Sequence, residues 1–288
     1  MRWQLQSQHW PYYRQLMRLD RPIGIYLLLW PTWWALWLVS AGRPDLTLLL
    51  VFSAGVVLMR SAGCVINDYA DRNFDGHVER TKARPLASGK VNSAEALQLF
   101  VLLMLCSASL LLFLSQATVL LALVAAALAV VYPFMKRFTY LPQFVLGAAY
   151  SWGIPMAAME VTGSIPLWIW ALYLANLVWT VAFDTFYAMV DMEDDQKIGV
   201  KSTALLFGRY CHPVIACLQL IFLALMAWVG QQNGLNWFFY AGLLLVFLSF
   251  VQQHWQAKTQ GGAGCFQAFL NNHYSGLLLF VGIALSLL

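Results

Sequence analysis

Nine of the thirteen carboxylates in this chain of 288 residues fall in two short windows. Asp68, Asp71, Asp75 and Glu79 make the first, and Asp184, Asp191, Glu193, Asp194 and Asp195 make the second. Asn67, Asp71 and Asp75 recur at i, i+4 and i+8, and Asp184, Asp191 and Asp195 at i, i+7 and i+11. Both spacings predict one stripe along a helix. Like charges at i, i+4 destabilise a helix by roughly a few tenths of a kcal/mol, and more beside a membrane, so each stripe needs a cation. Sets made only of oxygen donors suit Mg²⁺, which keeps waters and prefers one or two carboxylates together with substrate phosphate oxygens. Two facing sets would clamp a diphosphate through two such ions. Asp68, Glu193 and Asp194 lie off the stripes and fit a solvated loop equally well.

The cations around these windows suit the same ligand. Arg80, Lys82 and Arg84 follow the first set, and Lys197 and Lys201 follow the second. Carboxylates for metal followed by cations for phosphate oxygens is the donor pattern that an organic diphosphate requires.

The elements that must hold these residues are membrane helices. Hydrophobic residues make up 61% of the chain and charged residues 10%, against about 25% charged in an average soluble domain. That balance excludes a disordered chain and predicts an all-α integral membrane protein, read as a single domain over residues 1–288. The formal net charge of +4 is a poor argument for nucleic acid. Apolar stretches near 23–41, 46–66, 95–116, 118–135, 142–160, 165–188, 209–230, 235–254 and 268–287 predict nine spans of a ~30 Å hydrocarbon core. The third and fourth are separated because the apolar run from 97 to 135 is too long for one crossing.

Fifteen of the seventeen Lys and Arg residues then fall on one side, with Arg43 on the other and Arg60 inside the second span. This predicts a cytoplasmic N-terminus, a C-terminus on the opposite face, and both acidic windows at the cytoplasmic ends of spans two and six. The gaps on the opposite side are tiny, so the chemistry is expected in the cytoplasmic loops 67–94 and 189–208. Residues 1–22 mix Arg2, Arg14, Arg18 and Arg21 with Trp3, Trp10, Tyr12 and Tyr13, as an amphipathic segment at the membrane surface would, and carry no cleavable signal pattern. The five Cys show no metal-ligand or redox spacing and read as packing residues, and the five His are scattered with no H-x-x-x-H pair to suggest a metal site.

The stretch Asn67-Asp68-Tyr69-Ala70-Asp71-Arg72-Asn73-Phe74-Asp75 fits N-D-x-x-D-x-x-x-D, and Asp191-Met192-Glu193-Asp194-Asp195 fits D-x-x-x-D. With Arg21-Pro22-Ile23-Gly24, Arg80-Thr81-x-x-Arg84-Pro85-Leu86, Tyr132-Pro133-x-x-Lys136-Arg137, Asp184-Thr185-x-Tyr187 and Lys197-x-Gly199-x-Lys201, they resemble the UbiA superfamily of intramembrane prenyltransferases, in order and over nearly the whole chain. Within it the resemblance is strongest to the bacterial branch that prenylates 4-hydroxybenzoate for ubiquinone.

The resemblance implies a nine-helix bundle around a central cavity. It implies that Asn67, Asp71, Asp75, Asp191 and Asp195 hold Mg²⁺ and the diphosphate, with the four aspartates catalytic. Substrate contacts are expected from Arg21, Asp68, Arg72, Arg80, Arg84, Lys136, Arg137, Asp184, Tyr187 and Lys197, and the acceptor carboxylate from Arg21, Arg72 or Arg137.

The donor would be an all-trans polyprenyl diphosphate whose charge, neutralised by Mg²⁺, makes a better leaving group. The ring carbon ortho to the hydroxyl of the acceptor would attack the allylic centre, and a base would take the ring proton. Tyr69, Phe74, Tyr150, Trp152 and Tyr187 are candidates to shield the cation. The prenyl tail is expected to leave sideways into lipid, the expected location is the bacterial inner membrane, and no protein partner is evident.

Other readings are a prenyltransferase with a menaquinone-, haem- or chlorophyll-type acceptor, or a cation-coupled transporter. Transport sites lie near the bilayer midplane, whereas these acids sit at span ends. A CDP-alcohol phosphotransferase wants D-x-x-D-G-x-x-A-R, which the run from Asp71 to Arg80 does not match.

Overall fold

Short polar breaks decide where each helix starts. A computed structural model of the protein describes residues 4–73, 75–77 and 81–288, without the side chain of His77; Phe74, Glu79 and Arg80 lie outside the described residues. Every regular element described is helical. Helix α1 (Trp10–Leu16) precedes α2 (Ile23–Val39), α3 (Leu46–Asp71), α4 (Ser93–Leu110) and α5 (Gln116–Met135). Then come α6 (Pro142–Ser151), α7 (Gly153–Thr162), α8 (Leu167–Val190), the short α9 (Met192–Ile198) and α10 (Thr203–Phe207), α11 (Cys211–Gln232) and α12 (Trp237–Ser286). Among the described residues, seven helical segments are long and apolar enough to cross a membrane, α6 with α7 counting as one, and α2 is a shorter apolar helix.

The apolar run of α4 and α5 does break. The last turn of α4 tightens into a 3-10 turn at Leu111–Phe113, and Leu114 is extended. The Ser115 hydroxyl then caps α5 by accepting from the Thr118 N–H, and Glu160 takes the Ser115 N–H at 2.9 Å. At the other end of α4, Asn92 and Glu95 form a reciprocal capping box.

The last two predicted spans behave differently. Both lie in the 50-residue α12, and residues between 254 and 268 are helical rather than a loop. The separation is made at Gly261, whose φ of 57° and ψ of −134° break the helix at one residue. Only glycine adopts that conformation without strain.

Helix α8 is the axis of the bundle, and 56% of its apolar window is buried against 17% for α4 and 11% for α5. Its Trp179 and Phe183 pack with Trp34 of α2 and Phe222 of α11 in the main core. Their polar atoms are used: Trp34 Nε1 donates to the Gly276 carbonyl at 3.1 Å and Trp179 Nε1 to Asn272 Oδ1 at 2.8 Å. Helix α6 crosses α8 at Gly147, where an added Cβ would meet the Leu177 backbone oxygen at 2.9 Å and its Cα at 3.4 Å. Gly147→Val is therefore expected to lower stability by about 1–3 kcal/mol, read as a fall in melting temperature in detergent.

The N-terminal segment has an apolar face, as its sequence predicts, and that face is docked on protein. Tyr13, Leu16 and Met17 join Ala62, Val65, Leu99 and Leu103 of α3 and α4 in one buried cluster. Glu95, 2% exposed, fastens it by accepting from the Tyr13 hydroxyl at 2.5 Å and pairing with His9 at 2.7 Å. Burial, reinforced by the Glu95 carboxylate, pushes the Tyr13 phenol above its ordinary pKa.

Candidate active site

The C-terminal ends of α3, α5 and α8 meet, and both acidic windows meet with them. Asn67, Asp71, Asp75, Asp184, Asp191 and Asp195 line one small cavity of about 160 Å³, together with Arg84 and Lys136. The two sets thus face each other, but neither is a continuous helical stripe. Helix α3 ends at Asp71, and Asp75 stands in a separate 3-10 turn. Helix α8 ends at Val190, Asp191 has φ −99° and ψ 4°, and Asp195 belongs to α9. Carboxylates repeated at i, i+4 repel along a helix. Breaking the helix lets Arg84 reach Asp75 and puts Glu193, Asp194 and Asp195 in the first turn of α9, where the helix dipole favours negative charge.

The segment that follows the second motif is fastened to the end of α5, the start of α6 and α8. The Lys201 N–H donates to the Lys136 carbonyl at 3.0 Å, and the Thr203 N–H to Gln143 Oε1 at 3.1 Å. The Thr185 and Thr203 hydroxyls are 2.7 Å apart.

Asp71 is 3% exposed and divides its oxygens. Oδ2 accepts from Asn67 Nδ2 at 3.3 Å and is ion-paired with Lys136, while Oδ1 is buried without a hydrogen-bond partner. A buried carboxylate oxygen with no donor is costly, and a hard cation is what such an atom is suited to bind. With Asp75, Asp191 and Asp195 around the same cavity, the donor set fits Mg²⁺ in kind. Among the described residues no three carboxylate, imidazole or thiolate side chains converge tightly enough to cage an ion by themselves.

Asp68 serves differently. It is 1% exposed and accepts both oxygens' worth of Arg18, at 2.9 and 3.0 Å, and Arg84 at 3.0 Å. Arg84 in turn reaches Asp75 Oδ2 at 2.9 Å. Arg18 holds a φ of 57°, unusual for a side-chain-bearing residue, at the turn that leads into α2. Asp68 is thus fixed between two arginines, and it sets where Arg84 points. Asp68→Ala would strip the Arg18 guanidinium of its carboxylate and leave Arg84 to Asp75 in a partly buried site, with an expected loss of about 3 kcal/mol visible in thermal unfolding.

Other predicted contacts lie elsewhere. Arg72 is exposed, stacks 4.2 Å over the Tyr69 ring and donates to the Tyr69 carbonyl. Lys197 pairs with Asp194 at 3.3 Å and is 71% exposed. Arg21 is 80% exposed beside Asp20, at the rim of the larger cavity. Arg137 donates to the Ala70 carbonyl from the back of α3 and lines neither cavity. Arg80 lies outside the described residues.

Below the acidic pocket lies an apolar cavity of about 1400 Å³. Asn67, Arg84, Tyr132, Asp184 and Tyr187 line both spaces, so the pocket opens into it. Tyr150, Trp152 and Phe183 form part of its wall, and Ala122, Ala125, Ala126 and Ala129 of α5 leave room. Tyr69 is not on that wall.

Arg60 is on that wall. It lies two turns before Asn67 on α3, its Nε is buried without a partner, and its guanidinium is 5.9 Å from the Tyr150 ring centre. Among the described residues it has no carboxylate partner. Sequence reasoning passed over it, although a lone charge inside a span is itself a functional signal.

A multi-pass helical bundle with two aspartate sets in one polar pocket above an apolar cavity is built to hold a ligand with an anionic head and an oily tail. The chain belongs to the UbiA prenyltransferase family, which it matches over residues 28–280. It is 57% identical to the 4-hydroxybenzoate octaprenyltransferase of Serratia proteamaculans (strain 568), over 96% of both chains. It is 54% identical to the enzyme of the same name from Pseudoalteromonas translucida (strain TAC 125), over 98% of this chain and 97% of that one.

Among solved structures, a UbiA homologue from Aeropyrum pernix K1 has the same fold, with a TM-score of 0.80 at 24% identity, covering 92% of this chain and 98% of that chain. Another, from Archaeoglobus fulgidus, bound to GPP and Mg²⁺, has a TM-score of 0.73 at 18% identity, covering 96% and 99%.

Proposed function

We propose that the protein transfers a polyprenyl group from an all-trans polyprenyl diphosphate to the ring carbon of 4-hydroxybenzoate ortho to its hydroxyl, releasing diphosphate, in ubiquinone biosynthesis. The observation that carries this is the shared wall of the two cavities. A diphosphate held among the aspartates puts its first prenyl carbons into the apolar space. Full-length relatives with this activity in their names support the same reading.

Asp71, Asp75, Asp191 and Asp195, with Asn67, would hold Mg²⁺. When bound, Mg²⁺ neutralises the diphosphate and makes it a better leaving group. Arg84 and Lys136 are within reach of the same pocket and take diphosphate oxygens. The allylic C–O bond breaks, the ring carbon bonds to the allylic carbon, and a base takes the ring proton. Tyr132, Tyr150 and Tyr187 bound the space just below the pocket, where their ring faces stabilise positive charge and keep water out. Arg60 holds the carboxylate of the acceptor, at a distance from the diphosphate clamp.

We read the described helices as nine crossings, with α6 and α7 taken as one, α12 as two limbs about Gly261, and α2 included. The acidic end faces the cytoplasm in the bacterial inner membrane, by the excess of Lys and Arg there, and the prenyl tail leaves sideways into lipid.

Membranes containing this chain, given labelled 4-hydroxybenzoate, a polyprenyl diphosphate and Mg²⁺, are expected to form a lipid-soluble aromatic product, and EDTA is expected to stop it. Absence of that product with an active donor would overturn the reading.

A further inference from the structure

The two first-motif carboxylates assigned to the metal are already paired with cations of the chain. Lys136, at the end of α5, is ion-paired with Asp71 Oδ2. Arg84 spans Asp75 Oδ2 at 2.9 Å and Asp68 Oδ1 at 3.0 Å. The other Asp71 oxygen, Oδ1, is buried and partnerless. A divalent ion drawn to that oxygen would stand beside the Lys136 ammonium, and like charges in a partly buried site repel strongly. The described side chains also do not cage an ion by themselves, whereas Mg²⁺ sites of this type are completed by phosphate oxygens. A diphosphate supplies those oxygens, and it gives the displaced ammonium and guanidinium groups a new anion.

We infer that Lys136 and Arg84 are placeholder cations. They neutralise Asp71 and Asp75 until a diphosphate arrives, and then move onto it, so that metal and diphosphate bind as a pair and neither binds well alone. Lys136 is the principal gate, because its partner is the carboxylate with the orphaned oxygen. Arg84 is the lesser one, since Asp68 keeps hold of it. This rests on the reading of Asp71 and Asp75 as metal ligands.

The test is equilibrium dialysis of the detergent-purified full chain against Mn²⁺, with and without inorganic diphosphate, counting the excess Mn²⁺ on the protein side. In the wild type, diphosphate is expected to tighten Mn²⁺ binding by at least about 10-fold. Lys136→Gln is expected to bind Mn²⁺ alone about 10-fold more tightly than the wild type and to lose most of the gain from diphosphate. Lys136→Arg, which keeps the pair, should behave as the wild type does with metal alone. Arg84→Gln should move in the same direction as Lys136→Gln but less, and it decides the matter if Lys136→Gln does not elute as a folded protein. Wild-type binding that is equally tight without diphosphate, or a folded Lys136→Gln that binds Mn²⁺ no better than the wild type, would overturn the inference. Failure to bind Mn²⁺ under any condition would instead overturn the metal site itself, and the inference with it.

Discussion

Asp71→Asn is expected to leave the protein folded and to lower prenyl transfer by at least about a thousand-fold. Asparagine has the same shape and can still accept from Asn67 or Lys136, so the end of α3 keeps its local contacts. What it lacks is the charge at Oδ1, the only carboxylate oxygen among the described residues that is buried with no donor. The stability cost is small, about 1 kcal/mol, because Lys136 is 25% exposed and can be solvated when its partner is neutral. Thermal unfolding and gel filtration should therefore match the wild type while product formation disappears. Asp191→Asn, on the facing set, should behave in the same way. Substantial transfer by folded Asp71→Asn at saturating Mg²⁺ would remove Asp71 from the site.

Arg60→Gln is expected to raise KM for 4-hydroxybenzoate by about 10- to 100-fold, the equivalent of the roughly 1.5–3 kcal/mol of a charged hydrogen bond. KM for the prenyl donor should barely move, because Arg60 lies two helical turns below the aspartate pocket. The variant should fold, since it removes a membrane-buried charge that has no carboxylate partner among the described residues. Gly24 of α2 keeps the space: a Cβ there would overlap the guanidinium. The decisive comparison is an acceptor without a carboxylate, such as 4-hydroxybenzyl alcohol. Wild type and Arg60→Gln should use it equally well. If the variant loses as much on the neutral acceptor as on the acid, Arg60 supports the cavity wall and does not read the carboxylate.

The helices and the pairing of the acidic windows were legible because charge is so scarce here. When thirteen acids serve 288 residues, a cluster at the ends of two spans can hardly be incidental surface. Periodicity misjudged the local backbone. It extended both helices through their motifs, whereas the chain breaks at Asp71 and at Asp191. A spacing count cannot weigh repulsion between the acids against the benefit of letting Arg84 fold back. Proximity in sequence also misled for Arg72. One residue beyond Asp71 is about 100° further around a helix, and its side chain turns to Tyr69. Arg60 shows the opposite case, a residue whose unusual position was visible but whose task depends on a cavity that no linear pattern displays. The docking of the N-terminal segment onto Glu95 belongs to the same class, since its partners are more than eighty residues away.

The pocket opening directly into the apolar cavity has a bearing on how such an enzyme must be measured. A donor whose tail stays among hydrocarbon chains reaches the aspartates by lateral diffusion in the bilayer plane, not from the bulk. Its effective concentration is then a surface density. Diluting the membranes with buffer leaves the rate per enzyme unchanged, while diluting the donor with inert lipid slows it. A Michaelis constant for that substrate is properly a mole fraction of lipid, whereas the constant for the water-soluble acid remains an ordinary molarity. In the proposed reaction, the junction of the two cavities at Asn67, Arg84 and Tyr187 is where a two-dimensional reactant and a three-dimensional one would be brought to the same point.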